Sequence, residues 1–309
     1  MSKDGALKLL VVSDIHYGND YTYLQKMGVL AGQNCTLRGS WGNAVMPMVI
    51  NEFHRGKYDL LLEMGDRISS NKSVDESGKL TIWAYEMHTH LAMAGIGRVL
   101  DAKGNHCSEV GQKLGFPGIF MGYPYRGKNE DYPSSYRDVN GFRIVMSNAG
   151  TRQLATKGRF IPTEHMHWMN SVIKYSPYPV IVMQHVPPDE FDNGQDFYEK
   201  LAMMEMVMMV IHGHRHDPTT MEFPEGIPVL HMQALLLEDT PPTPGGHVAE
   251  IAITPDEITV KARALLGVCG NERTYRIDRS TLSLKDEPEF EGCPPENRPV
   301  VAAPTPEQA

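Results

Sequence analysis

The sequence predicts an α/β fold, and three observations carry that reading. Short apolar runs rich in Val, Ile and Leu recur along the chain, each bounded by Gly, Asp, Pro or Asn, as buried strands are. Segments of helical character separate these runs, as crossover helices separate the strands of a sheet. Beyond residue 246 the pattern changes to adjacent antiparallel runs joined by a Pro255-Asp256 turn.

Strands are expected at Leu7–Val12, Tyr58–Met64, Gly97–Leu100, Phe142–Met146, Val180–Met183, Val207–Ile211 and Val229–Met232. Helices are expected at Ala44–Phe53, Ile82–Ala94, Thr163–Tyr175 and Phe197–Met204. The run beginning Thr163-Glu164 directly after Pro162 is a helix start. Antiparallel strands are expected at His247–Ile253, Ile258–Ala264 and Thr274–Ile277. A single domain over residues 1–281 follows. From Leu282 to Ala309 Pro and Glu dominate with few large apolar residues, which predicts an extended or mobile tail.

The 309 residues suffice for a substantial core, and 41% hydrophobic with 22% charged is an ordinary globular balance. A net charge of -9 is ill suited to nonspecific nucleic-acid binding, which needs clustered Lys and Arg. It is compatible with a small phosphorylated substrate, because bound metal reverses the local field. The first apolar run, ending Leu9–Val12, is too short for the apolar core of a secretory signal. No segment offers the ~20 apolar residues of a membrane span; the richest, Met203–Ile211, is short and carries Glu205. Four scattered cysteines without a C-x-x-C pair fit reduced thiols, so a cytoplasmic protein with no membrane partner is expected. Oligomeric state is left open.

The polar residues that matter cluster where the predicted strands end. The first run leads into Ser13-Asp14-Ile15-His16 and the second into Gly65-Asp66-Arg67. The third leads into Gly104-Asn105-His106-Cys107, another reaches His185, and the next reaches His212-Gly213-His214-Arg215-His216. Ligands gather at the carboxyl ends of strands in open α/β sheets. Asp14 and His16, like His214 and His216, are two apart, so in an extended segment each pair faces one way. With Asp66, Asn105 and His185 they give seven oxygen and nitrogen ligands. One zinc ion takes about four ligands, so this number suits two divalent ions with a bridging carboxylate.

The ordered set D-x-H, G-D, G-N-H, His185 and G-H-x-H resembles the calcineurin-like metallophosphoesterase superfamily, in particular its cyclic-nucleotide phosphodiesterase-like branch. Each motif alone is weak; five in order, spanning Leu7 to Leu236, are specific. The resemblance implies a four-layer αββα sandwich of two mixed sheets flanked by helices, with the terminal β-rich segment in the second sheet. It implies Asp14, His16 and His216 on one metal, Asn105, His185 and His214 on the other, and Asp66 bridging. His106 and Asn105 form the implied catalytic pair, with His106 beside the phosphate stabilising charge or protonating the leaving oxygen. The implied reaction is in-line attack on phosphorus by a metal-bridging hydroxide, with a phosphodiester favoured over a monoester. A phosphomonoesterase or protein phosphatase, and a non-catalytic scaffold on the same fold, are the alternatives. Manganese, iron and zinc all suit such ligands. Cys107 departs from the pattern, in which Glu or Asp follows G-N-H.

Two further features have two readings each, and two more have one. Arg67 is either a phosphate contact or half of a structural salt bridge. Tyr17, with Tyr21, Tyr23, Arg38 and Trp41, lies on a long connection that either walls the leaving-group site or anchors the loop. His212 is expected to support its neighbours from behind. The pairs His88/His90 and His165/His167 sit two apart on expected helices and do not share a helical face.

Overall fold

Alternate residues of the first strand, β1 (Leu7–Val12), face two different cores. Leu7, Leu9 and Val11 pack between two sheets, whereas Leu10 and Val12 pack beneath a helix. A strand buried on both faces reads as a continuous apolar run, which is why it is plain in the sequence. The structure, a computed structural model, describes residues 6–16, 40–67, 89–95, 97–105, 134–148, 160–235, 246–265 and 272–290.

After β1 come α1 (Ser40–Gly56), β2 (Leu60–Glu63), β3 (Val99–Asp101), β4 (Ser135–Val139), β5 (Phe142–Ser147), α2 (Thr163–Lys174) and β6 (Val180–Gln184). Then follow α3 (Gly194–Ala202), β7 (Val207–His212), β8 (Thr220–Glu222) and β9 (Val229–His231). The described chain ends with β10 (His247–Ile253), β11 (Glu257–Ala264), β12 (Arg273–Asp278), β13 (Ser283–Leu284) and β14 (Glu289–Phe290). The first sheet runs β13-β12-β11-β10-β1-β2-β3, with β14 also pairing on β12. Its β1, β2 and β3 are parallel, and β10 to β13 are antiparallel. The second sheet runs β4-β5-β6-β7-β9-β8, parallel at its centre with antiparallel strands at both edges.

The layers follow from the cores. Val45, Val49 and Phe53, four apart on α1, make one apolar stripe that packs with Leu10, Val12 and Leu61 of the first sheet. Met166, Met169 and Ile173 of α2 and Phe197 and Leu201 of α3 pack with Val145, Val182 and Val210 of the second. Each such buried side chain stabilises the fold by roughly 1.5–3 kcal/mol. With the sheets face to face between them, the result is the four-layer αββα sandwich of two mixed sheets.

The C-terminal strands differ from expectation in their place. They do not build the second sheet; β10 lies antiparallel to β1 and extends the first, while the second is made of β4 to β9. Strands β4, β8, β13 and β14 were not foreseen, because they are short or, like S-Y-R-D-V, half polar at an edge. Helix α1 starts at Ser40 rather than Ala44 and carries Pro47 inside. Helix α3 starts at Gly194, three residues early. Of the helix expected at Ile82–Ala94, residues 89–93 are helical and those before residue 89 lie outside the described residues. Within the expected tail, β13 and β14 pair with β12, and residues 291–309 lie outside the described residues. No helix among the described residues is long and apolar enough to cross a membrane.

Candidate metal centre

The turns that follow β1, β2, β3, β6 and β7 converge at one end of the sandwich and lock onto each other through the backbone. Asp14 N donates to Gly65 O at 3.0 Å, His16 N to Asp66 O at 2.9 Å, and Gly213 N to His185 O at 3.0 Å. Asp14, His16, Asp66, His214 and His216 all take a left-handed backbone, with φ of 52, 46, 52, 75 and 60°. That conformation costs non-glycine residues about 1–2 kcal/mol each and concentrates at functional sites. The spacing of two therefore does not work through an extended strand, as expected from the sequence. The strands stop first, and left-handed turns bring the side chains together.

Two donor groups result. Asp14, His16 and His216 form one; Asp66, His185 and His214 form the other; within each, one ligand atom per residue lies within 4.8 Å of the others. In the first, His216 Nε2 is 3.1 Å from Asp14 Oδ1 and 3.3 Å from His16 Nε2. In the second, His185 Nε2 is 3.2 Å from Asp66 Oδ2 and 3.2 Å from Asn105 Oδ1, which brings Asn105 into the group. Asp14 Oδ1 is 3.8 Å from His185 Nε2, so the groups adjoin.

The electrostatics fit cations. Burial raises the affinity of the Asp14 carboxyl for a proton, but His185, His216 and His16 beside it hold it well below the usual carboxylate range. Asp66 is lowered in the same way, burial being outweighed chiefly by His185. Burial pushes the His185 imidazole down, but Asp66 and Asp14 drive it up to about 9. The carboxylates thus attract positive charge, and metal ions would replace those protons on the imidazole nitrogens. Imidazole nitrogen, carboxylate oxygen and amide oxygen are the donors that divalent transition ions take.

Surrounding groups aim the donors. The Ser13 hydroxyl donates to Asp14 Oδ2 at 2.5 Å and the His214 amide donates to the same oxygen at 2.9 Å. Oδ1 is left to face the histidines. His185 Nδ1 donates to Met64 O at 2.9 Å, which leaves Nε2 for a metal. A Cβ on Gly213 would come within 2.0 Å of Ser13 Oγ, and one on Gly104 within 2.0 Å of Asp66 Oδ1. Both glycines are there for close approach, and neither carries a positive φ. Gly213 therefore serves packing against Asp14 more than the turning of the chain.

His212 braces the site from within the second sheet. Its Nδ1 donates to Gln184 O at 2.8 Å and its Nε2 accepts from Tyr198 Oη at 3.1 Å. Burial holds the ring neutral, well below the usual imidazole range. Both nitrogens face protein partners, and the residue stands outside both donor groups.

Arg67 makes the structural salt bridge that is one of its two readings. Its side chain is 5% exposed, its Nε is 3.3 Å from Glu63 Oε2, and its Nη1 pairs with Asp101 Oδ2. Glu63 and Asp101 face each other across the β2–β3 pairing, so one guanidinium serves two buried carboxylates. Burial, with Asp101 adding to it, pushes the Glu63 carboxyl up to about 8 against the pull of Arg67. His106, Cys107, Tyr17, Tyr21, Tyr23 and Arg38 lie outside the described residues, as does the side chain of Trp41.

Ser13, Glu63, Asp101 and Glu190 were not foreseen. Ser13 adjoins Asp14, and adjacency to a ligand was its only signal. Glu190, on a turn over Pro188–Glu190, approaches His214 Nε2 at 3.3 Å and was marked only by an acidic pair after His185.

No curated protein matches the sequence. Among solved structures, a dimetal phosphatase from Danio rerio is 14% identical, with a TM-score of 0.61 over 88% of this chain and 99% of that chain. A phosphoesterase from E. coli is 13% identical, with a TM-score of 0.38 over 93% of this chain and 100% of that one. Zinc-complexed Vps29 from Entamoeba histolytica is 10% identical, with a TM-score of 0.37 over 88% and 99%. At these identities the first of the three speaks to the fold alone. The family model for calcineurin-like phosphoesterases matches residues 7–218, a span that contains both donor groups, the parallel strands β1 to β3 of the first sheet and β4 to β7 of the second, and the chain belongs to that family.

Proposed function

We propose that the protein is a dinuclear-metal-dependent phosphoesterase that acts on a small phosphodiester. The observation that supports it most is the pair of adjoining donor groups, each closing within 4.8 Å. In this reading Asp14, His16 and His216 hold one divalent ion, Asn105, His185 and His214 hold the other, and Asp66 is shared. Two such ions, when bound, acidify a water for attack on phosphorus and neutralise charge on the phosphoryl oxygens.

The chain's own contribution is rigid placement. Ser13 and the His214 amide fix Asp14, and Met64 O fixes the tautomer of His185. His106, next to Asn105, is assigned to stabilise charge on the phosphate or protonate the leaving oxygen. Preference for a diester rests on the D-x-H form of the first motif. Manganese, iron and zinc suit the donors equally. The scattered cysteines support a cytoplasmic setting.

The test is chelation, reloading with manganese, iron(II) or zinc, and comparison of bis-p-nitrophenyl phosphate with p-nitrophenyl phosphate. Two equivalents of metal and a higher kcat/KM on the diester are expected. Preference for the monoester would move the reading to a phosphomonoesterase. Two bound metals with neither ester hydrolysed would support a scaffold. Metal content that never exceeds one equivalent would overturn the dinuclear centre.

A further inference from the structure

We infer that Glu190 is a positioning residue for the second donor group: it takes the Nε2 proton of His214 and leaves Nδ1 as the nitrogen that faces a metal. The inference rests on the dinuclear reading above and concerns one ring of that site.

The geometry is specific. His214 Nε2 lies 3.3 Å from Glu190 Oε2, and both side chains are 22% exposed, so water screens the pair only in part. Glu190 ends the short turn Pro188–Glu190, with Pro187 before it and Pro188 as its first residue. Two prolines fix φ there, so the carboxylate is presented by a stiff backbone. The same turn grips the neighbour of His214. Glu190 Oε1 is 3.5 Å from Arg215 Nε, and Asp189 Oδ2 pairs with Arg215 Nη2. Each oxygen of Glu190 is therefore directed to a different residue of the His214-Arg215 segment.

Glu190 stands outside the donor groups that close within 4.8 Å, so it acts on the ring and not as a ligand. A metal-bound imidazole donates its other N–H to a carboxylate or carbonyl, which fixes the ring and strengthens it as a ligand. His185 satisfies this rule through Nδ1 and Met64 O, leaving Nε2. His214 satisfies it through Nε2 and Glu190, leaving Nδ1. The two histidines of one group thus present opposite nitrogens, held by turns that follow β6 and β7.

The experiment uses full-length protein with labelled histidine, loaded with zinc. Long-range ¹H–¹⁵N spectra should show His214 with Nε2 protonated and Nδ1 metal-bound; metal on Nε2 would overturn the inference. In calorimetric zinc titrations of the chelated protein, Glu190→Ala should weaken the second site 10–100-fold, the range for such supporting groups. Glu190→Gln, whose amide oxygen accepts the same hydrogen bond, should restore most of that loss. Glu190→Ala binding both ions as tightly as wild type would also overturn it. Wild-type protein binding fewer than two ions would count against the dinuclear reading instead, so the two failures are distinguishable.

Discussion

His185 donates its Nδ1 proton to the Met64 carbonyl oxygen at 2.9 Å and holds Nε2 3.2 Å from both Asp66 Oδ2 and Asn105 Oδ1. The ring is fully buried, and all of these contacts are lost when it is removed. His185→Ala should drop metal content from two equivalents to one by elemental analysis. His212→Gln provides the contrast. Both nitrogens of His212 are taken by protein groups, so its loss should cost about 1–3 kcal/mol of stability with metal content unchanged.

The Asp14 carboxylate is aimed by what holds its other oxygen. Ser13→Ala removes the 2.5 Å hydrogen bond to Oδ2 and should weaken metal binding at the first group by about 10–100-fold, with the fold intact by circular dichroism. Gly213→Ala should be worse, because its Cβ would meet Ser13 Oγ at 2.0 Å and Asp14 Oδ2 at 2.8 Å. Loss of metal together with a lowered Tm is the expected result.

Removal of charge should cost far more stability at Arg67 than at Glu63. One guanidinium faces two buried carboxylates, and the site holds less strain when Glu63 keeps its proton. Glu63→Gln preserves the shape and should cost about 1 kcal/mol or less in denaturant unfolding. Arg67→Met leaves Asp101 buried without its cation and should cost about 3–5 kcal/mol. Michaelis constants for the two variants should not show Arg67 as a substrate contact.

The second sheet carries a pH-dependent weakness at a histidine that stands outside both donor groups. Burial holds His165 down at about 4, against an ordinary 6.5, where its Nε2 meets Ser147 Oγ at 2.9 Å. Below pH 6.5 the unfolded chain takes up a proton that the buried ring refuses. Its contribution is present above 6.5 and declines as pH falls toward about 4, by about 1.4 kcal/mol per unit. Unfolding free energies at pH 7, 6 and 5 should fall less steeply for His165→Asn than for wild type.

Strands buried on both faces, such as β1 and β6, were legible because a short continuous apolar run bounded by turn residues is the pattern such strands leave. Edge strands β4 and β8 carry no such signal, since among the described residues one side of each has no pairing partner and at least half their side chains are polar or exposed. Asp14, His16, Asp66, His185, His214 and His216 were legible by type and order, and the fold brings all six into two groups. The left-handed backbone of five of them, all but His185, was not legible, because none is glycine and the constraint comes from hydrogen bonds between distant turns. The fate of Arg67 was undecidable from sequence, because Glu63 and Asp101 become its neighbours only through the register of β2 on β3.

Strand β1 lies inside its sheet, with β2 on one side and β10 on the other. One neighbour is encoded about fifty residues later; the other, His247–Ile253, comes from well beyond the family-matched span. During synthesis on the ribosome, β1 and β2 can pair early, but the Leu7–Val11 edge stays open until the chain is most of the way out. A nascent or truncated protein ending near residue 218 would expose that edge as a ready template for intermolecular pairing, although every residue of both donor groups had already been made. The last strand to reach β1 is thus made after every candidate metal donor, so the edge closes later than the donor set is complete.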